Sequence, residues 1–181
     1  ATGLLVICTG KATKRVMELT ADNKEYIAKI KLGETTPSFD LETDVDAVYP
    51  FDHVNRELVE TVLRTFSGWQ LQEPPAFSAK YVNGKRAYEY ARKGVDPKLE
   101  PVPIEIHSIE LIGFDLPFLT IKIVCSKGTY IRALARDIGK ALSTGAHLVE
   151  LRRTRSGIFS IEQALSIAEV EKKLSDLGNQ S

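Results

Sequence analysis

Apolar and polar residues alternate most cleanly from Tyr26 to Leu32, where Tyr26, Ala28, Ile30 and Leu32 interleave with Ile27, Lys29 and Lys31 before Gly33. A period of two with one wet face predicts a half-buried β-strand. Downstream, Ile104, Ile106, Ile109, Leu111 and Ile112 precede a second run from Phe118 to Cys125, with Asp115-Leu116-Pro117 between them. These runs predict a paired ribbon. Helical spacing appears after Asn55, a residue suited to an N-cap. Leu58, Val59, Val62, Leu63 and Phe66 recur at intervals of three and four, and Gly68 ends the pattern. Thr129 is the predicted cap of a further helix through Lys140, with Ile131, Leu134, Ala135 and Ile138 together on one side. Lys11 to Thr20 places Ala12, Val16, Met17 and Leu19 near helical spacing, ahead of a turn at Asp22-Asn23.

Elsewhere the pattern is shorter. Leu4 to Cys8 is an apolar strand candidate with no cap or turn before it, so the chain is expected to begin inside a structural unit. Glu34 to Pro50 reads as an acidic loop with one short strand. Pro74-Pro75 breaks the chain, Asn83-Gly84 is a hairpin signal, and Ala87 to Lys93 is a short helix closed by Gly94. Leu148 to Leu151 is strand-like, and two short amphipathic helices follow, Ile161 to about Ser166 and Ala168 to Leu177. Strand pairs mixed with separate helices predict an α+β fold with a mixed, mainly antiparallel sheet flanked by helices. The expected division is one unit over 1–166, with an insert at about 74–102, and a C-terminal helix and tail at 167–181.

The length of 181 residues, 43% hydrophobic and 27% charged, suits one core of ordinary soluble composition. The Leu4–Cys8 run is too short to span a bilayer and no charged leader precedes it, so a cytoplasmic protein without a membrane partner is expected. Cys8 and Cys125 each sit in an apolar run and read as small core residues. The formal net charge is zero, but the signs are segregated. Eight Asp or Glu face only Arg56 between Glu34 and Glu60, whereas Lys80, Lys85, Arg86, Arg92 and Lys93 face only Glu89. From Lys122 to Arg155, eight Lys or Arg face Asp137 and Glu150. Such segregation fits either solvated faces of mixed helices or a basic face for RNA phosphates.

His53, His107 and His147 are scattered without ligand spacing, so no metal is expected. His147 fits a structural role better than an RNA contact. Thr9-Gly10-Lys11 lacks the glycine spacing of a phosphate loop. The segment Ser126-Lys127-Gly128-Thr129-Tyr130-Ile131-Arg132 lies where a strand ends and a helix begins, a place where sites are built. Arg132 there needs solvent, a surface bridge to Asp137 or another nearby carboxylate, or a fixed anionic partner. Tyr26 reads either as core packing with its hydroxyl at the rim or as a ring able to stack on an extruded base.

Five ordered blocks resemble the TruB family of tRNA pseudouridine synthases. Ala1-Thr2-Gly3-Leu4-Leu5 with Gly10-Lys11-Ala12-Thr13-Lys14 is similar to the second half of the family's catalytic motif. Lys24-x-Tyr26, Leu32-Gly33 and Asp40 resemble the next block. Pro74-Pro75-x-Phe77-Ser78-Ala79, Gly84-Lys85, Tyr88 and Ala91-Arg92-x-Gly94 resemble the RNA-gripping insert. Ser126 to Arg132, Asp137-Ile138-Gly139, Gly145-Ala146-His147 and Leu151-Arg152-Arg153 complete the order.

The resemblance implies isomerisation of a T-loop uridine to pseudouridine by base flipping and glycosidic-bond rearrangement, without a cofactor. The implied partner is the tRNA T-arm stem-loop, and the intact protein is expected to be a monomer. Tyr26 would pack on the base and assist proton transfer, Tyr130 would line the pocket, and Arg132 would pair with the catalytic aspartate. Lys80, Lys85, Arg86, Arg92, Lys127, Arg152 and Arg153 would meet RNA, and Lys11 and Lys14 are either further contacts or solvated residues. In the family pattern the nucleophilic aspartate falls three positions before Ala1, so this polypeptide alone is expected not to catalyse the reaction. A non-catalytic RNA-binding or folding module is the alternative reading. A small-molecule enzyme lacks any supporting motif.

Overall fold

The computed structural model describes residues 1–20, 23–82 and 84–178. The chain starts with β1 (Thr2–Gly3), a 3-10 segment (Gly10–Arg15) and α1 (Val16–Thr20). It continues through β2 (Lys24–Leu32), β3 (Glu34–Thr35), β4 (Ala47–Val48), α2 (Arg56–Thr65) and β5 (Gly68–Gln72). The insert holds β6 (Tyr81–Val82), β7 (Lys85–Arg86) and α3 (Ala87–Ala91). Then come β8 (Val102–Asp115), β9 (Phe118–Cys125), α4 (Ile131–Ala141), β10 (Ala146–Ser156), β11 (Phe159–Ser160), a 3-10 turn (Ile161–Gln163) and α5 (Ile167–Gly178).

One seven-stranded sheet runs β1-β10-β2-β9-β8-β5, with β11 added on β10. Its pairs are antiparallel except β1 with β10. This is the expected α+β class with a mixed, mainly antiparallel sheet.

The period-two pattern explains the core. Ala28, Ile30 and Leu32 of β2 and Leu119, Ile121, Ile123 and Cys125 of β9 are buried on one face of the sheet. Against that face lie Val59 and Leu63 of α2 and Leu134 and Ile138 of α4. Each fully buried side chain of this size contributes about 1.5–3 kcal/mol relative to exposure. Helix α2 starts where expected, the Asn55 side chain accepting the Leu58 N–H at 2.9 Å. Helix α4 lies so close to β10 that a Cβ on Gly139 would sit 2.6 Å from the Cβ of Ala146.

Several expectations are corrected. Leu4 to Cys8 is not a strand: β1 ends at Gly3, and the Leu4 N–H, which donates to the Arg153 carbonyl, makes the last backbone bond of this segment to β10 among the described residues. Leu5 and Ile7 are exposed and Cys8 is only half-buried, so of the two cysteines Cys125 alone joins the core. Thr129 does not cap α4. Tyr130 occupies the N-cap, and the Thr129 hydroxyl donates to the Ser126 carbonyl at 2.9 Å. The helix expected from Ile161 is one 3-10 turn. The acidic loop contains two short strands, β3 and β4, paired with each other rather than one. In the hairpin signal, Asn83 lies outside the described residues, and the flanking Val82 and Lys85 pair in β6 and β7.

Candidate active site

Strand β9 ends in a turn that presents the start of α4. Gly128 has φ +82°, and the Ser126 hydroxyl accepts the Glu105 N–H at 2.9 Å, tying the turn to β8. Two residues beyond the N-cap Tyr130, Arg132 lies in the first turn of α4. A cation there opposes the helix dipole, so it needs compensating acceptors. The structure supplies them. Arg132 Nη1 donates to Asp40 Oδ2 at 2.9 Å and Nη2 to the Phe77 carbonyl at 2.8 Å. The guanidinium thus joins the acidic loop to the base of the insert. Asp137, the bridge partner nearer in sequence, pairs instead with Arg136 at 2.8 Å.

Asp40 is itself fixed. Its carbonyl accepts the Thr36 hydroxyl at 2.7 Å, and the neighbouring Phe39 carbonyl accepts the Leu148 N–H at 2.9 Å. Phe39 has φ 62°, an unfavourable conformation for a bulky residue, and the Arg136 guanidinium covers its ring at 4.7 Å.

Tyr26, on β2, is opposite Arg153 of β10 and Ile123 of β9. Burial pushes its hydroxyl pKa above the ordinary tyrosine value, with Cys125 adding to the rise and Arg153 opposing it. The phenol is therefore neutral at physiological pH. Beneath it, burial holds the Cys125 thiol up at about 11.

Tyr26, Asp40 and Arg132 meet around one cavity of about 420 Å³, whose walls also include Ala1, Tyr130 and Leu148. Gly3 makes the Ala1 wall possible. With φ +95° it lies opposite Arg153, where a Cβ would overlap the Arg153 carbonyl. Tyr26 is thus brought to Tyr130 and Arg132, which lie far along the chain from it. A second cavity, of about 550 Å³, shares Tyr130 and Arg132 and continues to Tyr88 and Arg92 of the insert.

The expected RNA-binding residues divide. Lys85, Arg92 and Lys127 are exposed, and Lys80 is half-buried. Arg86 covers the Tyr81 ring at 4.0 Å and donates to the Ala79 carbonyl, so it braces the insert hairpin. Arg92 lies over Tyr88 and pairs with Glu42 at 3.4 Å across the mouth of the site. Arg152 and Arg153 are successive strand residues and point to opposite faces. Arg152 is exposed, while Arg153 Nε donates to the Leu4 carbonyl at 2.7 Å. His147 is buried, with Nδ1 3.4 Å from the Glu34 carbonyl. Asp40 and Arg136 were absent from the expected site residues. The family block that includes Asp40 was the signal for the first, and none pointed to the second.

Among the described residues, no group of three or more His, Cys, Asp or Glu is placed to hold a metal ion, and no helix is long and apolar enough to cross a membrane.

Residues 1–131 match the profile of the TruB family pseudouridylate synthase N-terminal domain, and residues 132–179 that of the tRNA pseudouridylate synthase B C-terminal domain. The chain is 58% identical over 171 residues to tRNA pseudouridine synthase B of Parabacteroides distasonis, covering 94% of this chain and 73% of that protein. The Bacteroides fragilis protein of the same name is 57% identical over 169 residues, covering 93% of this chain and 72% of its own length. Among solved structures, a chain of an H/ACA RNP bound to a substrate RNA containing 2'-deoxyuridine shares the fold, with a TM-score of 0.64 and 24% identity. That match covers 94% of this chain and 40% of the solved one, so the chain spans less than half of it. By the profiles and the two bacterial relatives, the chain belongs to the TruB family of pseudouridylate synthases.

Proposed function

We propose that this chain carries the uridine-isomerising pocket of a tRNA pseudouridine synthase acting on the T loop. The observation that supports it is the convergence of Tyr26, Tyr130 and the Arg132–Asp40 pair on one cavity, in a chain whose relatives are named tRNA pseudouridine synthase B.

The isomerisation breaks the N1–C1' bond, turns the uracil, and joins C5 to C1'. C5 releases its proton and N1 ends protonated, so the atoms balance without a cofactor. The uridine must leave the stack to reach a buried pocket. The Tyr26 ring packs on the extruded base, and its hydroxyl, held protonated by burial, assists proton transfer. Tyr130 lines the same cavity. The family resemblance sets the nucleophilic carboxylate three positions before Ala1, and Ala1 is part of the cavity wall. Arg132, whose fork already holds Asp40, is then close to two carboxylates, and its charge keeps the nucleophile ionised.

The insert at about 74–102 closes over the T arm, with Lys80, Lys85, Arg86 and Arg92 near phosphates and Lys127 and Arg152 extending that surface. Such contacts position the RNA rather than read its sequence. The protein acts in the cytoplasm as a monomer.

The test is to map pseudouridine along a tRNA transcript after incubation with the protein of the parent open reading frame. One pseudouridine in the T loop is expected. Pseudouridine confined to another arm, or none, would overturn the reading.

A further inference from the structure

Gln72, the last residue of β5, is 3% exposed, and its amide faces the start of α4. Its Oε1 accepts the Tyr130 N–H at 2.8 Å, and its Nε2 donates to the Tyr130 carbonyl at 3.1 Å. Tyr130 is extended, with φ −93° and ψ 104°. An extended residue sends its N–H and C=O to the same side, and a neighbouring strand would normally meet both. Here one carboxamide meets both, and only this orientation of the amide satisfies the two groups.

Gln72 thereby fixes where α4 begins. The Tyr130 carbonyl also accepts the Leu134 N–H at 3.1 Å, the first turn of that helix. Two further bonds lace the chain after Gln72 to the same helix. Arg136 Nη2 donates to the Glu73 carbonyl at 3.3 Å, and Arg132 Nη2 to the Phe77 carbonyl at 2.8 Å. An apolar residue at position 72 would fill the space but leave the Tyr130 N–H without its acceptor and the Tyr130 carbonyl with the Leu134 N–H alone.

We infer that Gln72 is a positioning residue for the isomerisation: by clamping the Tyr130 backbone it aims the Tyr130 ring and sets the place from which Arg132 reaches into the pocket. The inference rests on the functional reading above. Gln72 touches no reacting atom; it acts through Tyr130 and Arg132.

The test measures release of tritium from [5-³H]uridine-labelled tRNA, RNA affinity and thermal midpoint in the parent-length protein, for wild type, Gln72→Met and Gln72→Glu. Gln72→Met removes both bonds at similar volume. It should lower kcat by about 10²-fold, the scale of a misplaced catalytic group, with RNA affinity close to wild type. In Gln72→Glu the ionised carboxylate can accept from the Tyr130 N–H but cannot donate to the carbonyl. Burial raises the pKa of such a carboxyl, and its protonated form regains a donor. Its kcat relative to wild type should therefore recover as pH is lowered, a readout that survives even if Gln72→Met does not fold. A wild-type protein that releases no tritium overturns the functional reading, and this inference with it. An active wild type with undiminished Gln72→Met turnover overturns the inference alone. So does a Gln72→Glu defect that stays constant with pH.

Discussion

Arg132 and Asp40 are separated by 92 positions in sequence and meet at 2.9 Å beside the cavity, the first from the opening turn of α4 and the second from the acidic loop. The same guanidinium holds the Phe77 carbonyl at the base of the insert. A single side chain therefore connects the pocket, the loop and the segment that leads to the basic residues of the insert.

That double attachment needs a planar fork. Lysine offers a compact ammonium that cannot reproduce the geometry toward both acceptors. Arg132→Lys should therefore lose about 10²-fold in kcat by misplacement. Asp40→Ala should lose turnover as well, and the two changes together should cost less than the product of their separate effects, because they share one interaction. Fully multiplicative losses in single-turnover assays would show that the pair does not act as a unit.

Tyr26 has two separable parts. Tyr26→Ala should abolish productive base packing, whereas Tyr26→Phe keeps the ring and tests the hydroxyl. Unimpaired turnover in both would remove Tyr26 from the site. The raised pKa also makes a stability prediction. The folded state holds the phenolic proton more tightly than the unfolded chain does. The resulting contribution is fully present below the unfolded tyrosine pKa of about 10 and is lost as pH rises toward the folded value. Denaturant titrations should show wild type losing stability above that pH more steeply than Tyr26→Phe.

The insert cations are not equivalent. Lys85 is exposed, so Lys85→Ala should weaken RNA binding at every sequence and reduce the slope of log K against log salt by about 0.7–0.9 for one lost phosphate contact. Arg86 braces Tyr81 and Ala79, so Arg86→Ala should also loosen the hairpin, seen as faster amide exchange around Tyr81. An unchanged salt slope in Lys85→Ala would take Lys85 off the phosphate surface.

Gly139 marks the closest approach of α4 to β10. A methyl group there would press on the Cβ and the backbone nitrogen of Ala146, both 2.6 Å away. Gly139→Ala should destabilise the protein by about 1–3 kcal/mol through overpacking, despite alanine's better helix propensity. A thermal midpoint equal to or above wild type would show that the helix can shift at little cost.

Strands β2 and β9 were legible in the sequence because their apolar positions coincide with burial, as at Ile30, Leu32, Leu119 and Ile121. The edge strand β5, which pairs with β8, was not. Its apolar residues Trp69 and Leu71 face outward, 73% and 72% exposed, while the inward residue is the polar Gln72. Alternation alone would have assigned its faces in reverse. Tyr26, Tyr130 and Arg132 could be singled out from local context and family resemblance, and the fold brings them to one cavity. The partner of Arg132 could not be read, because no spacing rule joins residues so far apart. The nearer carboxylate, Asp137, is occupied by Arg136. Likewise, adjacent arginines 152 and 153 suggested one basic surface, but strand geometry separates them.

The most direct measurement is single-turnover tritium release from [5-³H]uridine-labelled tRNA by the parent-length protein and its Arg132→Ala variant, with RNA binding measured on the same samples. The wild type should release tritium, and the variant should lose far more turnover than binding. Equal losses in both would make Arg132 merely an RNA contact, and tight binding by the wild type without any release would leave an RNA-binding module in place of the enzyme.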